Sequence, residues 1–524
     1  MNTLLSVSSA CEMLDISDTT LYKLLSLRNP DNAKIKSFNV GRSRKIDLNE
    51  LEKFLQKVEP SKIGYFTFSR NAAQEGKNRA MDKFNLTEKD LPYFRTLHSF
   101  CFNILGLKKE NVMQEKDYQD LGRDLQIEFE GIRYDHDHEG ILHSKDPYIS
   151  LISLARSRRM SPLELYNLNG NSYNITYDKL DIINKELYQY KKQKGLIDYI
   201  DMLEKFLDKG ESPKFEVIFV DEAQDLSLIQ WDIIKKLEKS SKQSIIAGDD
   251  DQAIYKWNGA DAETFINLEG ERVILQQSYR VPKNIFNVAN KIIKKVKYRV
   301  EKNWIPKEDL GQVNYHWEID RVDLSKGEWL ILARTNLILE KIAYYLDQNN
   351  FYFQRRNSTP RVKNIYALIE NWNKLREGTP LHYNDYKKIT NKMSKNVDLK
   401  LMKQMSKDKF YDIDTLKKDY GLKTDEEWYI AFDDLGDDEI RKIQRLIKNG
   451  EDLSKEPRIK ISTIHGVKGN ERDNVILLTD LSNAAYNKYL DNPDDEHRLF
   501  YVGVTRAKKE LNIIYAKTER GYDI

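Results

Sequence analysis

Residues 217–225 (VIFVDEAQD) run four apolar side chains into two adjacent carboxylates. A strand of this form delivers Asp221 and Glu222 to the C-terminal edge of a parallel sheet, where ligands of α/β proteins bind. At that edge Asp221 can hold Mg²⁺, directly or through water. Glu222 can orient or deprotonate a water that attacks a γ-phosphate. Taken alone, the same residues also read as a strand whose terminal acids cap the next helix. A second stretch has a different chemistry: Lys34, Lys36, Arg42, Arg44 and Lys45 lie within twelve residues that contain no acid. Such a run suits phosphate contacts, or else forms the solvated wing of a small packing module.

The elements that must position these groups are legible as patterns. Residues 64–68, 217–220, 244–248, 329–333 and 474–478 are short apolar runs, most ending in acids or Gly. Runs of this kind fit parallel strands covered on both faces by helices. Residues 106–195 and 360–455 lack that texture and read as two helical insertions. Before Glu59-Pro60 the chain reads as a separate module. Leu5–Ala10 opens a short helix, Ile16-Ser17-Asp18 turns into a second over residues 19–27, two strands flank Gly41, and residues 48–58 form a last amphipathic helix. The order helix, turn, helix, basic wing, helix resembles the excisionase/MerR-type winged helix-turn-helix, which places a helix in the major groove with the wing on the backbone.

The whole chain has 524 residues, with 85 Lys+Arg against 83 Asp+Glu. That length allows about three to five domains. A net charge of +2 excludes a polybasic or acidic disordered protein and leaves nucleic-acid contacts to local patches. No apolar run approaches the ~18 residues of a membrane span. Two cysteines, Cys11 and Cys101, are too few for a disulfide framework or a Cys-built zinc site. A soluble, cytoplasmic protein of a bacterial or phage-type setting is expected.

Beyond residue 62 the sequence resembles superfamily 1A DNA helicases of the UvrD/PcrA/Rep type, motif after motif and in order. Residues 65–73 (YFTFSRNAA) resemble motif Ia, 96–100 (TLHSF) motif Ib, and 196–203 (LIDYIDML) the segment before motif II. Residues 221–225 match motif II (Walker B), and 247–260 (AGDDDQAIYKWNGA) motif III. Residues 275–280 (LQQSYR) match motif IV, 462–471 (STIHGVKGNE) motif V, and 499–507 (LFYVGVTRA) motif VI. The resemblance implies two RecA-like parallel-sheet lobes of the P-loop NTPase type. The first takes residues 62–105 and 196–272, the second 273–359 and 456–520, with the module 1–58 in front. It implies ATP and Mg²⁺ as cofactors, single-stranded and duplex DNA as partners, and 3′→5′ movement with unwinding. By that resemblance Asp221, the metal ligand, acts in hydrolysis with Glu222, Gln252, Arg280 and Arg506. Tyr279 stacks on adenine and Glu471 accepts from the ribose. Trp257 and Tyr255 offer aromatic faces to bases, while Phe68, His98 and His465 lie along the strand track. A flat ring such as Trp257 is worth about 1–3 kcal/mol per stacked base.

One part is missing. The family's phosphate-cradling loop, G-x-x-x-x-G-K-[ST], occurs nowhere in the sequence. Gly76-Lys77 is the sole Gly-Lys pair and is followed by Asn78. The family places the loop upstream of motif Ia, where the eight residues 56–63 separate the last winged-module helix from the first strand. A strand, loop and helix need about 30. Without that cradle, ATP hydrolysis by this chain alone is not expected. By resemblance the strand before the loop is central, so two rows of backbone groups are expected to be left unpaired. Either a second polypeptide carrying the Walker A strand and helix completes the lobe, or the neighbouring strands close up. The rival expectations are an ATPase-deficient DNA-binding regulator derived from a helicase, and a subunit that only holds a partner chain.

Overall fold

The computed structural model describes residues 58–129, 131–134, 142–169, 175–355, 360–468 and 470–524, together with the backbone of three N-terminal strands. These are β1 (Leu4–Ser6), β2 (Ser37–Val40) and β3 (Ser43–Asp47). They form an antiparallel sheet in the order β1-β3-β2, with Leu5 opposite Ile46 and Ser37 opposite Ile46 from the other side. The β2–β3 pair is the expected wing. Leu5 and Ser6, expected at the start of a helix, instead extend that wing as a third strand through backbone pairing with β3. The expected helix over 19–27, that over 48–58 up to residue 57, and Lys36 and Arg42 lie outside the described residues; of Arg44 and Lys45 only the backbone is described.

The chain divides into two compact units, Met1–Gln277 with Val296–Ile305, and Ser278–Lys295 with Pro306–Ile524. In the first, β4 (Ile63–Thr67), β5 (Phe94–Thr96), β6 (Val217–Asp221) and β7 (Ser244–Ile246) form a parallel sheet in the order β5-β4-β6-β7. Ile218 and Val220 are buried on one face, packed with Phe66, Phe100, Phe206 and Trp231 from the strands and the helices Leu97–Ile104, Tyr199–Lys209 and Leu228–Glu238. The other face carries Tyr65, and the helix Arg70–Phe84 lies over it. A Cβ on Gly76 would come within 2.8 Å of the Tyr65 ring, so this close approach requires glycine. The expected central gap is absent. Strand β6 is paired on both sides, by β4 and β7, so among the described residues the sheet has open edges but no interior vacancy. Helices between residues 113 and 190 bury their own cluster, including Tyr118, Leu121, Ile152, Ile183 and Leu187.

In the second unit six parallel strands adopt the order β8-β13-β12-β9-β11-β10. They are β8 (Gln312–His316), β9 (Trp329–Ala333), β10 (Phe353–Arg355), β11 (Ile459–Thr463), β12 (Arg472–Leu478) and β13 (Ala507–Ile514). All five residues of β9 are buried, as a strand covered on both faces must be. Residues 360–453 bury a separate, mostly helical core around Trp372, Tyr386, Phe432 and Leu446.

Candidate nucleotide and DNA-strand site

Strand β6 ends where register places Thr67 of β4 beside Asp221. Asp221 Oδ1 accepts from the Glu222 backbone N–H at 2.9 Å, and Oδ2 accepts from the Tyr65 hydroxyl at 2.9 Å. Burial first, and then the Asp221 charge, push the Tyr65 phenol far up, so it stays a donor. Glu222 has φ +53° and ψ +38°, a left-handed conformation that non-glycine residues adopt at a cost of order 1 kcal/mol. That twist turns its side chain toward Gln224, whose Nε2 donates to Glu222 Oε2 at 2.6 Å. Gln224 Oε1 in turn accepts from the Asp249 N–H at 2.9 Å, past the end of β7. A Cβ on Gly248 would overlap Gln224 Oε1, so only glycine lets this loop close. Asp249 Oδ2 then accepts from Gln252 Nε2 at 2.7 Å. Burial raises the Asp249 carboxyl, but Lys302 and Gln252 outweigh it and hold it at about 2. Glu222 and Gln252 are thus joined by hydrogen bonds through Gln224 and Asp249, two residues to which no role was assigned from sequence.

Beyond Gln252 the chain carries Tyr255 and Trp257. Tyr255 is buried and packs on Phe68 at 5.2 Å between ring centroids. The Trp257 ring is 43% exposed and 6.4 Å from Tyr255. His98 is buried against Tyr199 at 5.5 Å. Of the aromatic groups expected along the strand track in this unit, Trp257 therefore presents its face outward. Phe68, Tyr255 and His98 lie beneath the surface.

In the second unit Tyr279 is 67% exposed, as a ring that stacks on a base must be. Arg280 Nη1 donates to Glu471 Oε2 at 2.9 Å, and Lys508 Nζ lies 2.8 Å from Oε1. Burial raises the Glu471 carboxyl, but Lys508 and Arg280 more than reverse it and hold it below the usual range. Two groups expected on a nucleotide thus pair with each other. Arg506 is 1% exposed, with Nε on the Val502 carbonyl at 3.0 Å and Nη2 on the Thr505 hydroxyl at 3.2 Å. Arg506, expected at a phosphate, here faces inward onto these carbonyl and hydroxyl acceptors. His465 sits half-buried in the turn after β11.

The oxygens at the end of β6 are of the kind Mg²⁺ takes: the Asp221 carboxylate, and in register beside it the buried Thr67 hydroxyl, which has no hydrogen-bond partner among the described residues. The triphosphate end is not matched. Lys77 lies mid-helix, buried, with Nζ on Glu88 Oε1 at 3.0 Å, and cannot serve as a phosphate lysine.

Residues 47–272 match the UvrD/REP helicase N-terminal domain, and residues 339–518 match the UvrD-like helicase C-terminal domain. The chain belongs to the UvrD-like helicase family. Residues 4–58 match a helix-turn-helix domain. Among curated relatives, the ATP-dependent DNA helicase PcrA of Bacillus subtilis is 27% identical over 290 residues, covering 53% of this chain and 38% of its own length. A probable DNA helicase II homolog of Mycoplasma pneumoniae is 24% identical over 561 residues, covering 88% of this chain and 78% of its own. A homolog of the same description from Mycoplasma capricolum is 25% identical over 274 residues, covering 47% and 36%. The chain thus spans less than two-fifths of the length of the Bacillus subtilis and Mycoplasma capricolum relatives. UvrD-like helicases are ATP-dependent DNA-binding proteins, and their two domain types fit the two parallel sheets described above. Among the described residues no helix is long and apolar enough to cross a membrane.

The Tyr65 hydroxyl is an unforeseen part of this UvrD-like site. Replacing Tyr65 with Phe leaves the ring in place and deletes one hydrogen bond to a carboxylate, so unit stability falls by about 1.5 kcal/mol. The urea midpoint checks this; an unchanged midpoint contradicts the bond.

Proposed function

We propose that this chain is the water-activating and DNA-tracking part of a UvrD-type motor that moves 3′→5′ on single-stranded DNA and unwinds duplex, with its triphosphate grip supplied in trans. The observation that carries this is the hydrogen-bonded line Glu222–Gln224–Asp249–Gln252, intact in a chain whose sequence holds no phosphate-cradling loop. ATP, when bound, supplies the phosphoryl group whose loss drives movement. Asp221 would hold its Mg²⁺ and Glu222 would take a proton from the attacking water. Gln252 would read the terminal phosphate, and Arg280 and Arg506 would stabilise charge there after leaving their present acceptors. Tyr279 and Glu471 would hold adenine and ribose, and Trp257 would stack a base beside the buried Phe68, Tyr255 and His98. Lys36, Arg42, Arg44 and Lys45 of the winged module would contact duplex phosphates.

A P-loop strand from a second polypeptide would pair at an edge of the first sheet. Adjacent strands lie about 4.8 Å apart, so a strand added outside β7 sits two spacings from β6, whereas one added outside β5 sits three away. The β7 edge is therefore the nearer to Asp221. A second reading, a DNA-binding regulator without a motor, is favoured by the pairing of Arg280 with Glu471 and of Lys77 with Glu88. Adding a P-loop fragment separates them. ATP turnover that appears only with the fragment supports the motor, and its absence with any such fragment supports the regulator.

A further inference from the structure

The three carboxylates after β7 are a cation cradle that the chain fills itself. One oxygen or another of Asp249, Asp250 and Asp251 lies within 4.8 Å of the rest, and Asp250 and Asp251 are buried. Lys302 Nζ stands among them, 2.6 Å from Asp249 Oδ1 and 3.2 Å from Asp251 Oδ2, and also pairs with Asp250. Arg299 grips Asp251 bidentately, with Nε on Oδ1 at 2.7 Å and Nη2 on Oδ2 at 2.6 Å. The Val300 N–H donates to Asp250 Oδ2 at 2.8 Å. Every one of these partners comes from Val296–Ile305, a segment that packs with the first unit although the chain on both sides of it, Ser278–Lys295 and Pro306 onward, belongs to the second.

Uncompensated, three carboxylates this close could not all stay ionised in a buried loop, because each burial penalty is several kcal/mol. The bidentate Arg and the ammonium therefore fix where the loop sits. That loop carries Gln252 at one end and leads to Trp257 at the other.

We propose that Lys302 and Arg299 are positioning residues of the Gln252–Trp257 loop, clamping it to the connecting segment Val296–Ile305 so that loop and connector move as one body. The consequence for function rests on the reading above, in which Gln252 meets nucleotide and Trp257 meets DNA. A displacement of the second unit's chain at residue 295 or 306 then reaches Gln252 through side chains already in contact, with no new bond needed.

Hydrogen exchange on the full chain tests the clamp without any ligand. In sub-denaturing urea, peptides spanning 249–259 and 296–305 are expected to open together, as one cooperative unit. Opening at different urea dependences overturns the proposal, and needs no altered protein. In Lys302→Gln both peptides should exchange at least about tenfold faster while β4 and β6 keep their rates, and Lys302→Arg should restore them. Unchanged exchange at 249–259 in Lys302→Gln overturns it too. Binding of a fluorescein-labelled oligothymidine then separates positioning from direct contact. Lys302→Gln should weaken binding about tenfold with the salt dependence unaltered, and Lys302→Arg should bind as the parent. A salt slope lower by about one would make Lys302 a phosphate contact instead and overturn the positioning role. Should the parent chain not hold the oligonucleotide, the DNA-strand role of Trp257 falls, while the exchange result still decides the clamp.

Discussion

Asp198→Ala is expected to cost the first unit about 3–5 kcal/mol, the largest loss of any single substitution considered, because it removes the buried carboxylate that two cations share and the cap of a helix. Arg156 Nη1 donates to Asp198 Oδ2 at 2.7 Å and Lys191 Nζ donates to the same oxygen at 2.6 Å. Arg156 Nη2 also reaches Asp201 at 2.6 Å and Glu204 at 2.7 Å, and Lys191 lies 2.7 Å from Asp201. Asp198 caps the helix Tyr199–Lys209 as well, its Oδ1 accepting from the Asp201 N–H at 2.7 Å. The cations come from the inserted helices Pro147–Ser157 and Tyr177–Lys194, so the network ties the insertion to the sheet-bearing part. A urea titration measures the loss. Asp198→Ala combined with Lys191→Met should lose less than Asp198→Ala alone, since one buried cation deprived of a carboxylate is gone; an equal or greater loss contradicts the network.

The same carboxylate gives a pH dependence of known sign. Burial raises the Asp198 carboxyl, but Arg156 and then Lys191 pull it down further, and the net result lies well below the ordinary 3.8. A group held lower in the folded state stabilises fully above its unfolded value and loses that contribution as pH falls toward the folded value. Stability owed to Asp198 is therefore flat above about pH 5 and declines below about pH 4. In Asp198→Ala that share of the acid-side decline should vanish.

Trp257→Ala should weaken single-stranded DNA binding by about 1–3 kcal/mol, roughly 5–150-fold in Kd. The ring is 43% exposed, close to Tyr255, and precedes Gly259, whose φ of +93° turns the chain away from it. Because a ring carries no charge, the salt dependence of the remaining binding should match that of the parent chain. Trp257→Phe keeps a stacking face and should recover most of the affinity. Fluorescence anisotropy of a labelled oligothymidine at several salt concentrations reads both quantities. A loss under about twofold would place the bases elsewhere.

The parallel strands were readable because buried strands leave continuous apolar runs. Val217–Asp221 and Trp329–Ala333 fall within a residue of where those runs lie. The Asp198 cap was visible in principle, since an acid three residues before another acid at a helix start is a capping pattern. What could not be read is the pairing of side chains far apart in sequence. Tyr65 meets Asp221 across 156 positions, Arg280 meets Glu471 across 191, and Arg299 meets Asp251 across 48. No period or local composition marks such pairs. Leu5 and Ser6 were misread for a related reason: an apolar residue beside a small polar one suits either a helix or a third strand, and only pairing with β3 decides between them. The inward turn of Arg506 likewise depends on acceptors that its motif does not specify.

Single-stranded DNA-stimulated ATP hydrolysis by the purified full chain, with Glu222→Gln as control, tests most directly whether one half of the engine is present without the other. DNA should bind while turnover stays at the Glu222→Gln background. Turnover well above that background, with no second polypeptide added, would mean that this chain grips the triphosphate by itself.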